Sequence, residues 1–362
     1  SHIFTFISLE KEFIGLVVSV NRFRVSRRGT RHRSRKGSTL SGKDRLDVVV
    51  LEEHYSDAEL DAWRGIAPAG PMAAALRISA EERVARLDKL GITTEILALA
   101  PPGLQAVHAP EAAEVARGVN DRLAQYTSEA PDRLAAFAAL PTFDPVSAAD
   151  ELRRCVRDLG MVGAMIHGPT QGRFLDDESF APIFAAAEDL GVPLYIHPSE
   201  ILQQVREAYF APYDVTHPMF IRAGWGYTIE TGTHALRLIL SGRLQRHPDL
   251  KIILGHLGEG IPYMMDRIDE ALSRDTPMKD FNAVFRHHFH VTTSGFFSDV
   301  ALECCMNQIG AERVMFSIDA PYASAEAGMA WLEARCSEAG HATDQARVRA
   351  LAAGNARALL KL

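Results

Sequence analysis

The chain has 362 residues, 47% of them hydrophobic and 23% charged, with a formal net charge of −7. That balance belongs to a soluble globular protein, and the length suits one α/β barrel with insertions. The charge is uneven: residues 1–46 hold eleven Lys and Arg against three acids, a net of +8, which leaves an acidic body of −15 and argues against nucleic acid as the main partner.

Residues 1–20 are mildly apolar but broken by Glu10, Lys11 and Glu12, and the basic run 22–36 follows them. A secretory signal has the reverse order, charge before apolar stretch. An Arg/Ser-rich run with little to bury is expected to be disordered, so 1–45 reads as a basic extension: a targeting or polyanion-binding arm, a solvated tail, or a segment without a role.

From residue 46 onward, short β-rich runs alternate with longer helical patterns. Strands are predicted at 46–51, 94–99, 134–140, 161–166, 193–196, 251–254, 289–292 and 313–318. Between them, 79–90 opens on Ser79 with Glu82 three residues on, a capping-box pattern. Helical spacing also runs through 110–130, 145–159, 179–190, 228–241 and 260–274, with Pro110 and Pro145 at helix starts and Gly160 and Gly191 at helix ends. Eight strands alternating with helices predict an α/β fold, a (β/α)8 TIM barrel over 46–362, with an open doubly wound sheet as the other arrangement of the same pattern. The segment 201–226 makes a long insertion after the fifth strand, and Pro212, Pro218 and Gly224 predict an irregular path there. No apolar run approaches the ~20 residues needed to span a bilayer, so no membrane partner is expected. Cys155, Cys304, Cys305 and Cys336 form no CxxC pair, which fits reduced thiols in a cytoplasmic protein.

Polar residues follow several of these strands: Glu52 and His54, His167, His197, His256 and Asp319. In a parallel barrel such positions share one rim, where these folds place their sites. Glu52, His54, His197 and Asp319 offer two carboxylates and two imidazoles, a set suited to one divalent ion such as Zn²⁺ or Mn²⁺. On an extended strand Glu52 and His54 point the same way while Glu53 points outward. Any one of these residues alone is an ordinary strand-end group; the repeated pattern carries the reading. His256 lies in GHLGEG (255–260), with Glu259 placed to orient it as an acid–base pair, or else as a histidine capping the next helix. Arg173 and Arg222 are candidates for a substrate's anionic group or for surface ion pairs. Trp225, Tyr227, Phe296 and Phe297 are candidates for an aromatic wall or for core.

LEEH (51–54), YIHP (195–198), GHLGEG (255–260), TTSG (292–295) and FSID-P (316–321) together resemble the amidohydrolase-2 branch of the amidohydrolase superfamily. The likeness is to its γ-resorcylate and 2,3-dihydroxybenzoate decarboxylases, and TQGRFLDD (170–177) resembles the 5-carboxyvanillate enzymes. The resemblance implies a mononuclear metal site on Glu52, His54, His197 and Asp319, a catalytic pair in His256 and Glu259, no organic cofactor, and a homodimer or homotetramer. It implies a carboxy-lyase that removes CO₂ from a small aromatic carboxylic acid, a hydroxybenzoate bound through carboxylate and phenolic oxygen, with Asp319 as proton donor. Glu-x-His stands where hydrolytic relatives commonly have His-x-His. His167 stands where a bridging lysine would. Ala320 replaces the aromatic residue that often precedes the proline, reshaping the pocket. The same donors in a hydrolase or hydratase would activate water against a lactone or an unsaturated acid. A non-catalytic barrel, by contrast, would have lost ligands.

Overall fold

The computed structural model describes residues 46–66, 69–274, 276–339 and 342–362. The predicted basic extension 1–45 lies outside the described residues. The strands are β1 (Val49–Tyr55), β2 (Thr94–Leu99), β3 (Leu134–Ala136), β4 (Ala138–Ala139), β5 (Ala164–His167), β6 (Leu194–His197), β7 (Ile252–Leu254), β8 (Phe289–Thr292) and β9 (Val314–Met315). Every pairing is parallel and follows chain order, β1-β2-β3 and then β4 through β9. β3 and β4 are two parts of the single strand expected at 134–140. At the residue between them, Phe137, the amide still reaches Leu97 O at 2.9 Å. All eight predicted strand positions therefore carry a strand, and helices alternate with them as a barrel requires.

Local chemistry sets the helix ends. Ser79 caps Ala80–Leu90 with the full capping box to Glu82, and Gly91 ends that helix with φ 82°. Pro145 starts Pro145–Arg157 behind an Asp144 cap. Inside the ring, Val49, Leu51, Ile96, Ala98, Phe137, Met165, Tyr195, Ile253 and Met315 pack together, closed from below by Ala353, Ala356 and Leu360. The outward strand residues pack under the helices in a second, larger core.

The first strand departs from expectation in a way that matters. It runs to Tyr55, so Glu52 and His54 lie within it, and its register against β2 shifts between Val50 and Glu53. Val49 and Leu51 face the ring interior; simple alternation would have sent Glu53 there next. The bulge resets the parity and re-aims Glu52 and His54 inward instead. Glu53 is outside that inner set, as expected, but it is buried rather than exposed, at 1%. It sits at the seam between β1 and the end of β9, where side chains do the pairing. Ser317 Oγ accepts from Leu51 N (2.9 Å) and Glu52 N (2.8 Å), and His54 N donates to Ala320 O at 2.8 Å.

The insertion 201–226 is less irregular than its prolines predict. Gln203–Val205, Arg206–Phe210 and Ala211–Tyr213 wind as consecutive helical pieces of changing hydrogen-bond pattern. Ile201, Phe210 and Ile221 give the insertion a small core of its own.

Candidate metal centre

Donors from β1, β6 and the turn after β9 converge on one point. Atoms of Glu52, His54, His197 and Asp319 all lie within 4.8 Å of one another. His197 Nε2 stands 3.2 Å from Glu52 Oε1, and His54 Nε2 stands 3.2 Å from Asp319 Oδ1. Glu52 Oε1, His54 Nε2 and Asp319 Oδ1 are buried and have no hydrogen-bond partner. Buried polar atoms without partners are costly, and a divalent cation among them would satisfy all three. The set of two carboxylates and two imidazoles therefore fits a metal ion in its donor chemistry as well as its placement.

Two of the donors, His197 and Glu52, are aimed by neighbours. His197 Nδ1 lies 2.7 Å from the Pro198 carbonyl, which takes its proton and leaves Nε2 as the free lone pair. Glu52 Oε2 accepts from the Tyr195 hydroxyl and from Thr292 Oγ1 (3.1 Å), and Thr292 is tied in turn to Ser294 Oγ at 2.6 Å. One oxygen of Glu52 is thus fixed and the other left facing the centre. Gly255 makes room: a β-carbon there would fall 2.8 Å from Glu52 Oε2. Burial opposes ionisation of Glu52, yet His256 and His197 hold its pKa far below the usual carboxylate range. His54 and His167 are pushed below 6.5, chiefly by burial, which keeps both neutral. His167 sits under the donors, its Nδ1 3.0 Å from His197 Nδ1, and is outside the four-donor group.

His256 and Glu259 lie in a run from His256 to Gly260 whose φ angles are all positive. Left-handed backbone over non-glycine residues stores strain, and it is found where a side chain must be held in one place. Here it brings His256 Nδ1 to 2.8 Å from Glu259 Oε1 and leaves Nε2 3.7 Å from both Glu52 Oε1 and Asp319 Oδ2. Burial works against a charged His256, but the Glu259, Glu52 and Asp319 carboxylates outweigh it and hold the imidazole well above its ordinary value. Asp319 itself has φ 71°.

The remaining predicted residues lie further out. Arg173 donates to Ser179 Oγ (2.9 Å) and stacks over Phe180. Arg222 pairs with Glu200 at 3.1 Å, both half exposed. Trp225 and Phe296, also half exposed, line an apolar cavity of about 690 Å³ together with Glu259, Leu257 and Ile261; none of the four donors lines it, so it lies beside the centre and not over it. Tyr195, Thr292, Ser294 and Gly255 were not singled out from the sequence for these roles. The signal for Tyr195 was period two: it precedes His197 by two residues on one strand, so both face inward.

A parallel (β/α)8 barrel with a Glu/His/His/Asp cluster at one rim that could hold a metal ion has the architecture of a metal-dependent enzyme of the amidohydrolase type. A family model described as Amidohydrolase (Amidohydro_2) matches residues 68–362, beginning just after Glu52 and His54, and the chain belongs to that family. It is 39% identical over 303 residues to a gamma-resorcylate decarboxylase of Rhizobium sp. (strain MTP-10005), covering 79% of this chain and 91% of that protein. Among solved structures it is similar to a 2,6-dihydroxybenzoate decarboxylase complexed with 2,6-dihydroxybenzoate (38% identity, TM-score 0.77, 88% of this chain and 100% of that one). It is also similar to a dihydroxybenzoic acid decarboxylase from Polaromonas sp. JS666 with bound manganese and the inhibitor 2-nitroresorcinol (35% identity, TM-score 0.78, 88% and 97%).

Proposed function

We propose that this chain is a metal-dependent, non-oxidative decarboxylase of a hydroxybenzoic acid, converting a γ-resorcylate-like substrate to CO₂ and a phenol. The observation that carries the reading is the convergence of Glu52, His54, His197 and Asp319, with buried donor atoms of Glu52, His54 and Asp319 left without hydrogen-bond partners. The similarity to decarboxylases solved with a dihydroxybenzoate or with manganese supports it. Glu52, His54, His197 and Asp319 would hold one Mn²⁺ or Zn²⁺, which supplies Lewis-acid anchorage for a carboxylate and an ortho phenolic oxygen. No organic cofactor is needed.

The chain's own groups then handle the proton. Asp319 delivers it to the ring carbon that bears the carboxylate, giving a dienone. The carbon–carbon bond breaks, its electron pair restores the aromatic ring, and CO₂ departs. His256, clamped by Glu259, faces Asp319 and is placed to hold the substrate or return a proton to Asp319. Trp225 and Phe296 would supply apolar wall beside the centre, and Arg173 and Arg222 are the candidates to meet the substrate's anionic group. The half-exposed rim of the neighbouring cavity, with Tyr263 and Val300 more than four-fifths exposed, fits burial in a homodimer or homotetramer. The four free cysteines fit a reducing compartment such as the cytoplasm, and no helix among the described residues is long and apolar enough to cross a membrane.

The test is a screen of Mn²⁺-loaded protein against ortho-hydroxybenzoates and lactones, following CO₂ release and acid release in parallel. CO₂ from 2,6-dihydroxybenzoate, abolished by a chelator and restored by Mn²⁺ or Zn²⁺, is expected. Acid release from lactones without CO₂ from any benzoate would reject the reading.

A further inference from the structure

Glu53 lies between two of the candidate metal donors in sequence but faces away from them. Its carboxylate spans the seam. Oε1 accepts from Ser317 Oγ at 3.1 Å and from Ile318 N at 3.0 Å, and Oε2 accepts from Ala320 N at 2.9 Å. The two backbone amides it holds are those on either side of Asp319. Asp319 is in the left-handed region, at φ 71°, which few residues other than Gly, Asn, Asp and His adopt, and the two amides that Glu53 holds flank it. Ser317, the third partner, also receives the amides of Leu51 and Glu52. One buried side chain therefore ties the strand carrying Glu52 and His54 to the turn carrying Asp319, across a seam without ladder pairing among the described strands.

We infer that Glu53 is a positioning residue for the metal centre: it sets the distance between Asp319 and the two donors across the seam, Glu52 and His54. This rests on the metal reading above. The geometry makes the side chain hard to replace. Both oxygens act as acceptors, so a glutamine in either orientation points its NH₂ at a backbone N–H. Groups that orient metal ligands through hydrogen bonds typically alter metal affinity by about 10–100-fold when lost.

The test is a double-mutant cycle on Mn²⁺ affinity, read from free Mn²⁺ by electron paramagnetic resonance and needing no turnover. Glu53→Gln should weaken Mn²⁺ binding about tenfold or more in the otherwise unaltered chain. In an Asp319→Asn background the same change should cost less than about twofold, because its route to the metal runs through the Asp319 carboxylate. A general structural role predicts equal losses in both backgrounds, and that result would overturn the inference, as would an unchanged affinity in Glu53→Gln. Should Glu53→Gln not fold, Glu53→Asp, which keeps the carboxyl group and shortens the reach by one methylene, goes through the same cycle with the same two criteria. An unaltered chain that binds no Mn²⁺ would instead reject the metal reading itself.

Discussion

Gly255→Ala is a steric probe of the centre with little else attached. Gly255 has φ −73°, which alanine adopts without strain, so the added methyl acts through space alone. It would meet Glu52 Oε2 at 2.8 Å and Oε1 at 3.0 Å. An ordinary carbon–oxygen contact needs about 3.4 Å, so the carboxylate must retreat by roughly 0.6 Å. Glu52 is fully buried and pinned by Tyr195 and Thr292, which leaves it little room to give. Overpacking of this kind costs about 1–3 kcal/mol. If the cost falls on the metal-holding geometry, Mn²⁺ affinity drops by about 5–150-fold. Isothermal titration of metal-free protein with Mn²⁺ measures it, alongside thermal unfolding of the same samples. A variant that folds and binds Mn²⁺ within twofold of the parent would refute the reasoning, since Glu52 would then have to be either mobile or no ligand.

Asp319→Asn should retain Mn²⁺ at a measurable, weakened affinity while CO₂ release falls by at least about 100-fold, the lower range for loss of a general acid; near-normal turnover would remove Asp319 from the proton step. His234 is fully buried, accepts the Leu175 amide at 2.9 Å, and is pushed by burial down to about 3. Its unfolded form takes up a proton below about 6.5 while the native form does not. The neutral histidine's contribution is therefore intact above pH 6.5 and drains away as pH falls toward 3, by roughly 3 kcal/mol at pH 4.5. Denaturant melts of His234→Gln, whose amide oxygen can still accept from Leu175, should show a shallower loss of stability over that window; equal slopes would reject the burial argument. Light scattering should return a dimer or tetramer, and Tyr263→Lys should reduce it toward monomer; an unchanged assembly would place the contact elsewhere.

Much of the fold was legible because strand chemistry is local. Short apolar runs between helical patterns located every barrel strand, even 134–140, which has no β-branched residue, although 313–318 shortened to Val314–Met315 as its end turned into the seam. The four donors were legible for the same reason: each lies just past a predicted strand, and parallel strands put those positions on one rim, although Glu52 and His54 proved to lie within β1 itself. What hid was tertiary. The bulge in β1 has no glycine or proline to announce it, so the burial of Glu53 was not legible although the shared inward aim of Glu52 and His54 was. Arg173 and Arg222 carry charge that suits a substrate, but which partner an arginine finds depends on loops whose path the sequence leaves open. The helices Phe281–His288, Asp299–Ile309 and Ala325–Glu338 were not singled out; the last has apolar residues spread around its circumference instead of along one face.

The central claim is that one divalent ion sits among Glu52, His54, His197 and Asp319. Crystals grown with Mn²⁺ and measured on both sides of the manganese absorption edge would locate it directly. A single anomalous peak within coordination distance of all four side chains is the predicted result. A map with no peak there, or with manganese held elsewhere on the barrel, would contradict the account.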